Sequence, residues 1–177
     1  GSEEHLQTSL WLRGIVDWSL TSEDSDLEKA SSLFDWTVRN IDLVGAYQLD
    51  PQTGEPYPRP LQTLRETLIL GRGTRADRAW LFVSLLRRIG IDAAILTAQD
   101  PEGELGENAL FAVGVLLEGD VYLFEPGRGL PFVAPGGVTL TEQGLDIQPA
   151  TLSQAISDPS VCETFDVSEK EEDAYPI

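Results

Sequence analysis

One apolar stretch constrains the fold of this chain more than any other part of the sequence. It is a helical run that begins after Gly73 and ends at Gly90. Thr74 is a good N-cap, and Asp77, three positions later, completes a pattern close to a capping box. The apolar members of the run are Ala79, Trp80, Leu81, Phe82, Val83, Leu85, Leu86 and Ile89. Because they cover nearly the whole circumference, the run predicts a buried central helix on which the rest of the chain packs.

Length and charge limit the classes of protein that the chain can belong to. A chain of 177 residues, of which 41% are hydrophobic, is long enough for one ordinary domain with a substantial core. Its 30 acidic and 12 basic residues give a net charge of -18. That charge argues against nucleic acid or an anionic membrane surface as a partner. No apolar run approaches the roughly 18 residues that a membrane-spanning helix needs, so no membrane insertion is predicted.

Cysteine and histidine are scarce. The chain has one cysteine, Cys162, and one histidine, His5. A disulfide within the chain and a cysteine-based zinc site are therefore excluded, and neither a metal nor a cofactor is expected. We expect Cys162 to be a small, buried, apolar residue in the C-terminal part of the fold. His5 lies beside Gly1-Ser2, which resemble a cloning remnant, so it carries little weight as a functional residue.

The N-terminal third predicts helices. Helical spacing of apolar residues indicates one helix over about residues 5–20, a second over about 26–39 and a short third one over 61–70. In the first, an apolar stripe is formed by Trp11, Ile15 and Trp18. Two interpretations of this stripe stay open. We favour contact with the protein's own core over an exposed face on which a partner docks.

The C-terminal half predicts strands. Residues 91–97 form an apolar run that indicates a buried strand, and residues 109–117 and 121–124 flank the turn Glu118-Gly119-Asp120 as in a hairpin. The remaining segments are predicted as an extended piece at 40–44, loops at 45–60 and 99–108, irregular chain at 132–150 and a short helix at 151–157. Helices followed by at least three mainly antiparallel strands predict an α+β fold. We expect the N-terminal helices and the central helix to pack on one face of a small sheet.

The central helix and its flanks resemble the bacterial transglutaminase-like domains, which share the papain-like cysteine-proteinase fold. The likeness extends over about residues 27–131. Its most specific part is residues 73–93, which follow the family's order of glycine, any residue, cysteine, three residues, alanine, an apolar stretch with Leu-Leu-Arg, and Gly-Ile. Residues 33–41 are similar to the family's preceding helix. Residues 119–126 are similar to its final strand, which ends in an acid followed by proline.

The resemblance also implies a domain organisation and a source. A single transglutaminase-like domain is predicted over residues 3–158, followed by an acidic C-terminal tail over residues 159–177. The family and the start of the chain favour a bacterial protein that is exported or anchored and has lost its signal. We therefore expect a location outside the cytoplasm.

Three positions carry the family's acyl-transfer chemistry. A cysteine in the first turn of the buried helix is the nucleophile, a histidine on the next strand is the base, and an acid on the third strand orients the histidine. Carried over to this chain, these positions fall on Arg75, at or near Leu110, and on Glu125. An arginine stays protonated and offers no nucleophile, and a leucine cannot carry a proton. The resemblance therefore implies a degenerate member, a pseudoenzyme that lacks the cysteine and the histidine.

Arginines are concentrated around the vestigial cysteine position. Seven of the 12 basic residues lie between residues 59 and 88. Arg75 at the positive end of a helix needs compensation. We favour an ion pair that fills the vacated cleft, with Asp77 and Glu125 as partners. The alternative is an external carboxylate or phosphate in an anion-binding or partner-binding site. Its candidate residues are Arg72, Arg75, Arg78 and Arg128.

The function predicted from these residues is that of a catalytically inactive module for protein interaction or scaffolding. Its expected partner is an unknown protein or an acidic peptide. Two alternatives stay open. One is a hydrolase or peptidase of unknown specificity that uses the same cleft, and the other is a structural spacer whose cleft is filled by its own side chains.

Overall fold

A computed structural model describes residues 2–97, 110–141 and 144–163 of the chain. Helices and strands both occur throughout these ranges, and the α+β class is confirmed. The chain divides into two compact units, residues 1–90 and 91–177. The predicted boundary of a single domain over 3–158 stays a prediction. Residues 164–177, most of the predicted tail, lie outside the described residues.

The first unit contains the predicted helices. Within residues 2–90 these are α1 (Ser2–Ser19), α2 (Asp26–Asn40), α3 (Leu64–Leu70) and α4 (Arg75–Arg88). Four short strands accompany them: β1 (Asp42–Leu43), β2 (Tyr47–Leu49), β3 (Pro56–Pro58) and β4 (Arg72–Gly73). β1 pairs with β4 in parallel, and β2 pairs with β3 antiparallel. The first unit is therefore helical, with two small strand pairs between its helices.

The prediction of a continuous loop over residues 45–60 is wrong, because β2 and β3 form a hairpin there. The prolines that suggested a loop remove N–H donors but leave the carbonyls, and proline is tolerated in an edge strand. The hairpin is closed by the Asp50 N–H, which donates to the Glu55 carbonyl at 2.9 Å, and by the Arg59 N–H, which donates to the Ala46 carbonyl at 2.7 Å. Backbone N–H groups outside β3 thus donate the hydrogen bonds that the prolines of β3 cannot donate.

The predicted central helix is present as α4. Thr74 is its N-cap, and the capping box with Asp77 is complete. Ile89 is the C-cap, and Gly90 follows in the left-handed region at φ 76°, which an L side chain rarely adopts. Most apolar residues of α4 are buried, as predicted, except that Trp80 is 41% exposed. In the same unit Phe82 packs edge-to-face on Phe34 of α2, with ring centroids 5.2 Å apart.

The expectation that the α1 stripe packs into the core is wrong for Trp18, which is 80% exposed. Leu12 is the buried residue of α1, at 5% exposure. Trp11 and Ile15 are half-buried. Leu12 lies toward the edge of the face that the stripe defines, so α1 contacts the core along a narrow line and leaves much of the aromatic face outside.

The second unit is built on strands. Its described elements are β5 (Asp92–Thr97), β6 (Leu110–Leu117), β7 (Asp120–Glu125), β8 (Leu130–Pro131), β9 (Val133–Thr141), β10 (Gly144–Pro149), α5 (Leu152–Ser157) and α6 (Ser160–Glu163). A four-stranded antiparallel sheet has the order β5-β6-β7-β8. The predicted hairpin between β6 and β7 is confirmed. Glu118 and Gly119 both have positive φ, as a tight type I′ turn requires.

The prediction of irregular chain over residues 132–150 is wrong, because β9 and β10 form a second antiparallel pair there. The glycines and prolines near its start concealed a clear alternation of apolar and polar residues. Val138 lies opposite Ile147, and Leu140 opposite Leu145, so these four residues share one face of the pair. The two strands are stabilised by backbone hydrogen bonds to each other, and these do not depend on the glycine and proline content of the segment.

The core of the second unit lies between the sheet, β9 and the last helices. One cluster of buried residues there is formed by Ala112, Leu123, Phe132, Ala134, Ala150 and Val161. Cys162 is half-buried and packs against this cluster, near the place expected for a small apolar residue. Val161 and Cys162 belong to α6, within the segment that was predicted as tail.

The capping box of α3 can be tested by titrating Glu66. The pKa of Glu66 is lowered because the backbone N–H and the hydroxyl of Thr63 donate to its carboxylate, each at 2.8 Å. The stabilisation is present above the unfolded pKa of about 4.5 and is lost as the pH falls through the lowered folded pKa. We expect Thr63→Val to raise the pKa of Glu66 part of the way back, because one of two donors is removed. NMR titration of the Glu66 carboxyl measures this.

The same titration contains its own control. Glu28 forms the equivalent box with Ser25 at the start of α2, and its pKa is lowered by the same kind of contacts. The pKa of Glu28 should not change in the Thr63 variant. If the pKa of Glu66 also stays constant, the Thr63 hydroxyl does not contribute to lowering it.

Candidate functional site

Arg75, predicted to stand at the family's cysteine position, is the first residue of α4 and follows the N-cap Thr74 directly. Its side chain is half-buried. Arg72, in β4, is exposed. Two of the predicted anion-binding arginines therefore lie in β4 and in the first turn of α4, and their binding of an anion stays a prediction.

Asp77 holds this turn in place. It is 1% exposed, and its Oδ2 accepts from the Thr74 N–H and the Thr74 hydroxyl, each at 2.8 Å. Its Oδ1 accepts from the Gln62 N–H at 2.8 Å. A buried carboxylate with three donors is well compensated for its loss of water. Asp77 therefore joins the start of α4 to the segment before α3.

Gly73 is required beside that carboxylate. A Cβ at position 73 would lie 2.7 Å from the Asp77 Cβ, a distance that real Cβ atoms do not reach. The contact is between rigid parts of the two residues, so the glycine cannot be replaced without moving the turn. The glycine of the family motif therefore has a packing role that does not depend on catalysis.

Arg78 has a structural role that the sequence did not indicate. It is 6% exposed. Its guanidinium Nε donates to the Ile41 carbonyl at 2.8 Å, and Nη2 donates to the same carbonyl and to that of Val38 at 3.4 Å. These carbonyls belong to the last turn and C-cap of α2, which lack partners within their own helix. A cation there also complements the negative end of the helix. Binding of an external anion by Arg78 stays a prediction.

In the second unit, Glu125 ends β7 and organises the turn that follows. It is 3% exposed, and its carboxylate accepts from the Gly127 N–H at 2.9 Å and from the Arg128 N–H. The Gly129 N–H donates to the Glu125 backbone carbonyl at 3.0 Å. Glu125, the predicted acid position, is therefore a buried carboxylate that stabilises residues 126–129. Arg128 contributes its backbone to this turn, and its predicted part in anion binding stays untested.

The predicted histidine position lies in the same unit. Leu110 is the first residue of β6 and pairs with Thr97 of β5. Because β6 and β7 are antiparallel and their register runs from Leu117 opposite Asp120 to Val113 opposite Phe124, Leu110 and Glu125 lie toward the same end of this strand pair. Arg75 belongs to the first unit. Pairing of Arg75 with Glu125 stays a prediction.

The chain's one histidine and one cysteine lie far apart in the sequence and in different elements. His5 is exposed in α1, and Cys162 is half-buried in α6. Within residues 2–97, 110–141 and 144–163, no group of three His, Cys, Asp or Glu side chains is arranged to hold a metal ion. In the same ranges, no helix combines the length and apolar character needed to cross a bilayer.

Sequence reasoning missed a groove in the first unit, which we call the tryptophan groove. It has a volume of about 570 Å³. Its lining residues are Leu10, Trp11, Gly14, Ile15 and Trp18 of α1, Trp36 of α2, and Leu68 and Ile69 of α3. The sequence contained part of the signal, because Gly14 interrupts the aromatic stripe of α1. A helix that packs only on its own core has little use for a glycine there. The stripe's other interpretation expected exposure, which Trp18 shows, and the docking of a partner there stays a prediction.

Comparison with known proteins gives one family. Residues 15–120 match the family description of the transglutaminase-like superfamily. The match includes Arg75 and Leu110 and ends before Glu125. Among solved structures, a protein from Cytophaga hutchinsonii titled "a Putative Cysteine Protease" is similar at 17% sequence identity, with a TM-score of 0.46. That similarity covers 85% of this chain and 44% of the other chain. The search of curated proteins gave no match.

Proposed function

Because the chain belongs to the transglutaminase-like superfamily, we propose that it is a catalytically inactive member that works as a protein-interaction or scaffolding module. One observation carries the proposal. Arg75, a residue with no nucleophilic form at accessible pH, stands at the first position of α4, where the family's cysteine would be. Acyl transfer by this family needs that thiolate, so a domain with arginine there has lost the reaction's first step.

The second missing group points the same way. The resemblance puts the family's histidine position at or near Leu110, and leucine cannot act as a base. The whole chain contains one other candidate for each role, Cys162 and His5. Cys162 packs against an apolar cluster and His5 is an exposed residue of α1. The proposal therefore assigns neither residue the place of the missing pair.

The parts of the motif that remain are those with a role in folding. Gly73 makes room for Asp77, Asp77 anchors the turn, and Glu125 holds residues 126–129. A domain that has lost its nucleophile and base but keeps these contacts also keeps its fold and its outer surface. A binding role needs only that surface. In this proposal, Arg72 and Arg75 near the start of α4 are the candidate contacts for an acidic peptide.

Inactivity can be measured directly. We expect the purified protein to release p-nitrophenol from p-nitrophenyl acetate at the rate of buffer, and to release no ammonia from a glutamine-containing peptide with or without an added amine. The Cys162→Ser variant is the matched control, because it removes the chain's sole thiol.

Turnover by the protein that disappears in Cys162→Ser would contradict the proposal and favour the alternative of a hydrolase or peptidase. Turnover that persists in that variant would also contradict it, and would assign the reaction to a group other than a thiol. Equal rates for the protein, the variant and buffer would support an inactive domain.

A further inference from the structure

We propose that the tryptophan groove binds an amphipathic helix of a partner protein that carries lysine or arginine beside its apolar stripe. The inference rests on the proposed function in one respect, that the domain works by binding. It concerns a different surface from the vestigial catalytic positions. All eight lining residues belong to the first unit.

The groove has the composition of a binding surface. No charged side chain lines it, and it contains three of the chain's four tryptophans. Trp18 is 80% exposed, Leu10 67% and Ile69 54%. Contiguous exposed apolar surface on a highly charged protein marks an interaction site, and tryptophan is enriched among residues that dominate binding energy. Three helices bound this apolar depression, and side chains of a further helix can pack between them.

Gly14 gives an independent indication. It lies in the middle of α1, where glycine destabilises a helix relative to alanine. A Cβ at this position would find nothing within 4 Å, so packing within the described part of the chain does not require glycine. The residue nevertheless lies among the lining residues, between Trp11 and Trp18. A missing side chain at that point allows the backbone of a docked helix to approach α1 closely.

The charges beside the groove indicate which kind of partner helix it binds. Glu3 and Glu4 are exposed and lie two helical turns before Leu10 and Trp11, so they continue the groove-lining face of α1. Arg13 lies off that face and is within 3.6 Å of Asp17. Acidic residues at one end of an apolar groove, on a chain of net charge -18, are complementary to a basic amphipathic helix.

A second copy of the chain is the less suitable occupant. Association of two copies would bring two charges of -18 together, and this repulsion opposes self-association. Arg65, one turn before Leu68 and Ile69 on α3, has the opposite charge to Glu3 and Glu4. It therefore serves as a control of opposite sign on a helix that contributes to the groove.

The test uses a labelled synthetic peptide of about 18 residues, made of leucine and lysine with leucine at i, i+3, i+4 and i+7. Fluorescence anisotropy at physiological salt measures its binding to the full chain. We expect saturable binding, and Trp18→Ala should weaken it by about tenfold or more. Glu3→Gln with Glu4→Gln should weaken it and reduce its salt dependence, whereas Arg65→Gln should not weaken it.

Gly14→Ala separates binding from folding. Alanine should raise the thermal stability of the protein, because it favours the helix and meets no neighbour. The same substitution should weaken peptide binding by about tenfold, because its methyl group adds bulk to the lining of the groove where the docked helix would approach. Opposite changes in the two measurements cannot come from misfolding.

Several results would overturn the proposal. One is that a leucine–glutamate peptide binds as tightly as the leucine–lysine peptide. Another is that a leucine–lysine peptide with a scrambled apolar stripe binds equally tightly. A third is that both Trp18→Ala and Gly14→Ala bind the leucine–lysine peptide as the unchanged protein does. Sedimentation that shows a dimer abolished by Trp18→Ala would assign the groove to self-association and overturn it as well. None of these results bears on acyl transfer, so the failure of this inference and that of catalytic inactivity are measured separately.

Discussion

Replacement of Asp77 by alanine is expected to lower the free energy of unfolding by about 3 kcal/mol. The substitution removes the capping box of α4 and leaves the N–H groups of Gln62 and Thr74 without their acceptor. Loss of a helix cap costs about 1 kcal/mol, and each buried donor left unpaired adds a cost of similar or larger size. Urea denaturation followed by circular dichroism measures the change.

Glu66 provides the matched control, because it fills the same place in the capping box of α3. It is exposed, so water can replace the bonds that Glu66→Ala removes. That variant should lose much less stability than Asp77→Ala. Equal losses in the two variants would mean that the buried contact with Gln62 contributes nothing. The stability loss of Asp77→Asn should fall between those of Asp77→Ala and Glu66→Ala. The amide oxygen of asparagine can replace one carboxylate oxygen as acceptor, but its NH₂ group faces other donors.

Replacement of Arg78 by methionine is expected to cost about 3 kcal/mol as well, for a different reason. Methionine fills much of the space but donates no hydrogen bond, so the carbonyls of Val38 and Ile41 at the end of α2 lose their donor. Hydrogen bonds from a charged donor contribute about 1.5–3 kcal/mol each. Thermal and denaturant unfolding should both show the loss.

Arg88→Met is the control for Arg78→Met, because Arg88 is an exposed residue at the other end of α4. We expect it to change the stability by less than about 0.5 kcal/mol. Arg78→Lys tests the geometry of the contact. Lysine keeps the charge but lacks the planar fork that reaches two carbonyls, so it should recover only part of the loss. Full recovery by lysine would show that charge alone stabilises the end of α2.

These two predictions concern residues within two or three positions of Arg75. They imply that the turn before α4 is under strong structural constraint whether or not the domain catalyses anything. The start of the helix depends on Thr74, Asp77 and Gly73. The proposed exchange of a cysteine for Arg75 would therefore be compatible with the fold.

The sequence alone predicted the elements whose signals are local. The capping residues and the apolar run determined the limits of α4, and the short acidic turn with Gly119 determined the β6–β7 hairpin. Each depends on interactions between residues a few positions apart, which periodicity and capping preferences report well. The family resemblance added the position of Arg75 at the start of the helix.

Only the tertiary structure decided which side chains meet across long stretches of sequence. Arg78 contacts a carbonyl 37 positions earlier, and the tryptophan groove joins residues of three helices between positions 10 and 69. Helical spacing places Trp11, Ile15 and Trp18 on one face but does not say what covers that face. For a helix that is apolar on one face only, burial depends on which elements are adjacent, and the pattern within the helix does not contain that information. The sequence therefore determined the limits and the burial of α4, whose apolar residues cover nearly its whole circumference. Tertiary packing decided that α1 leaves part of its aromatic face in an open groove.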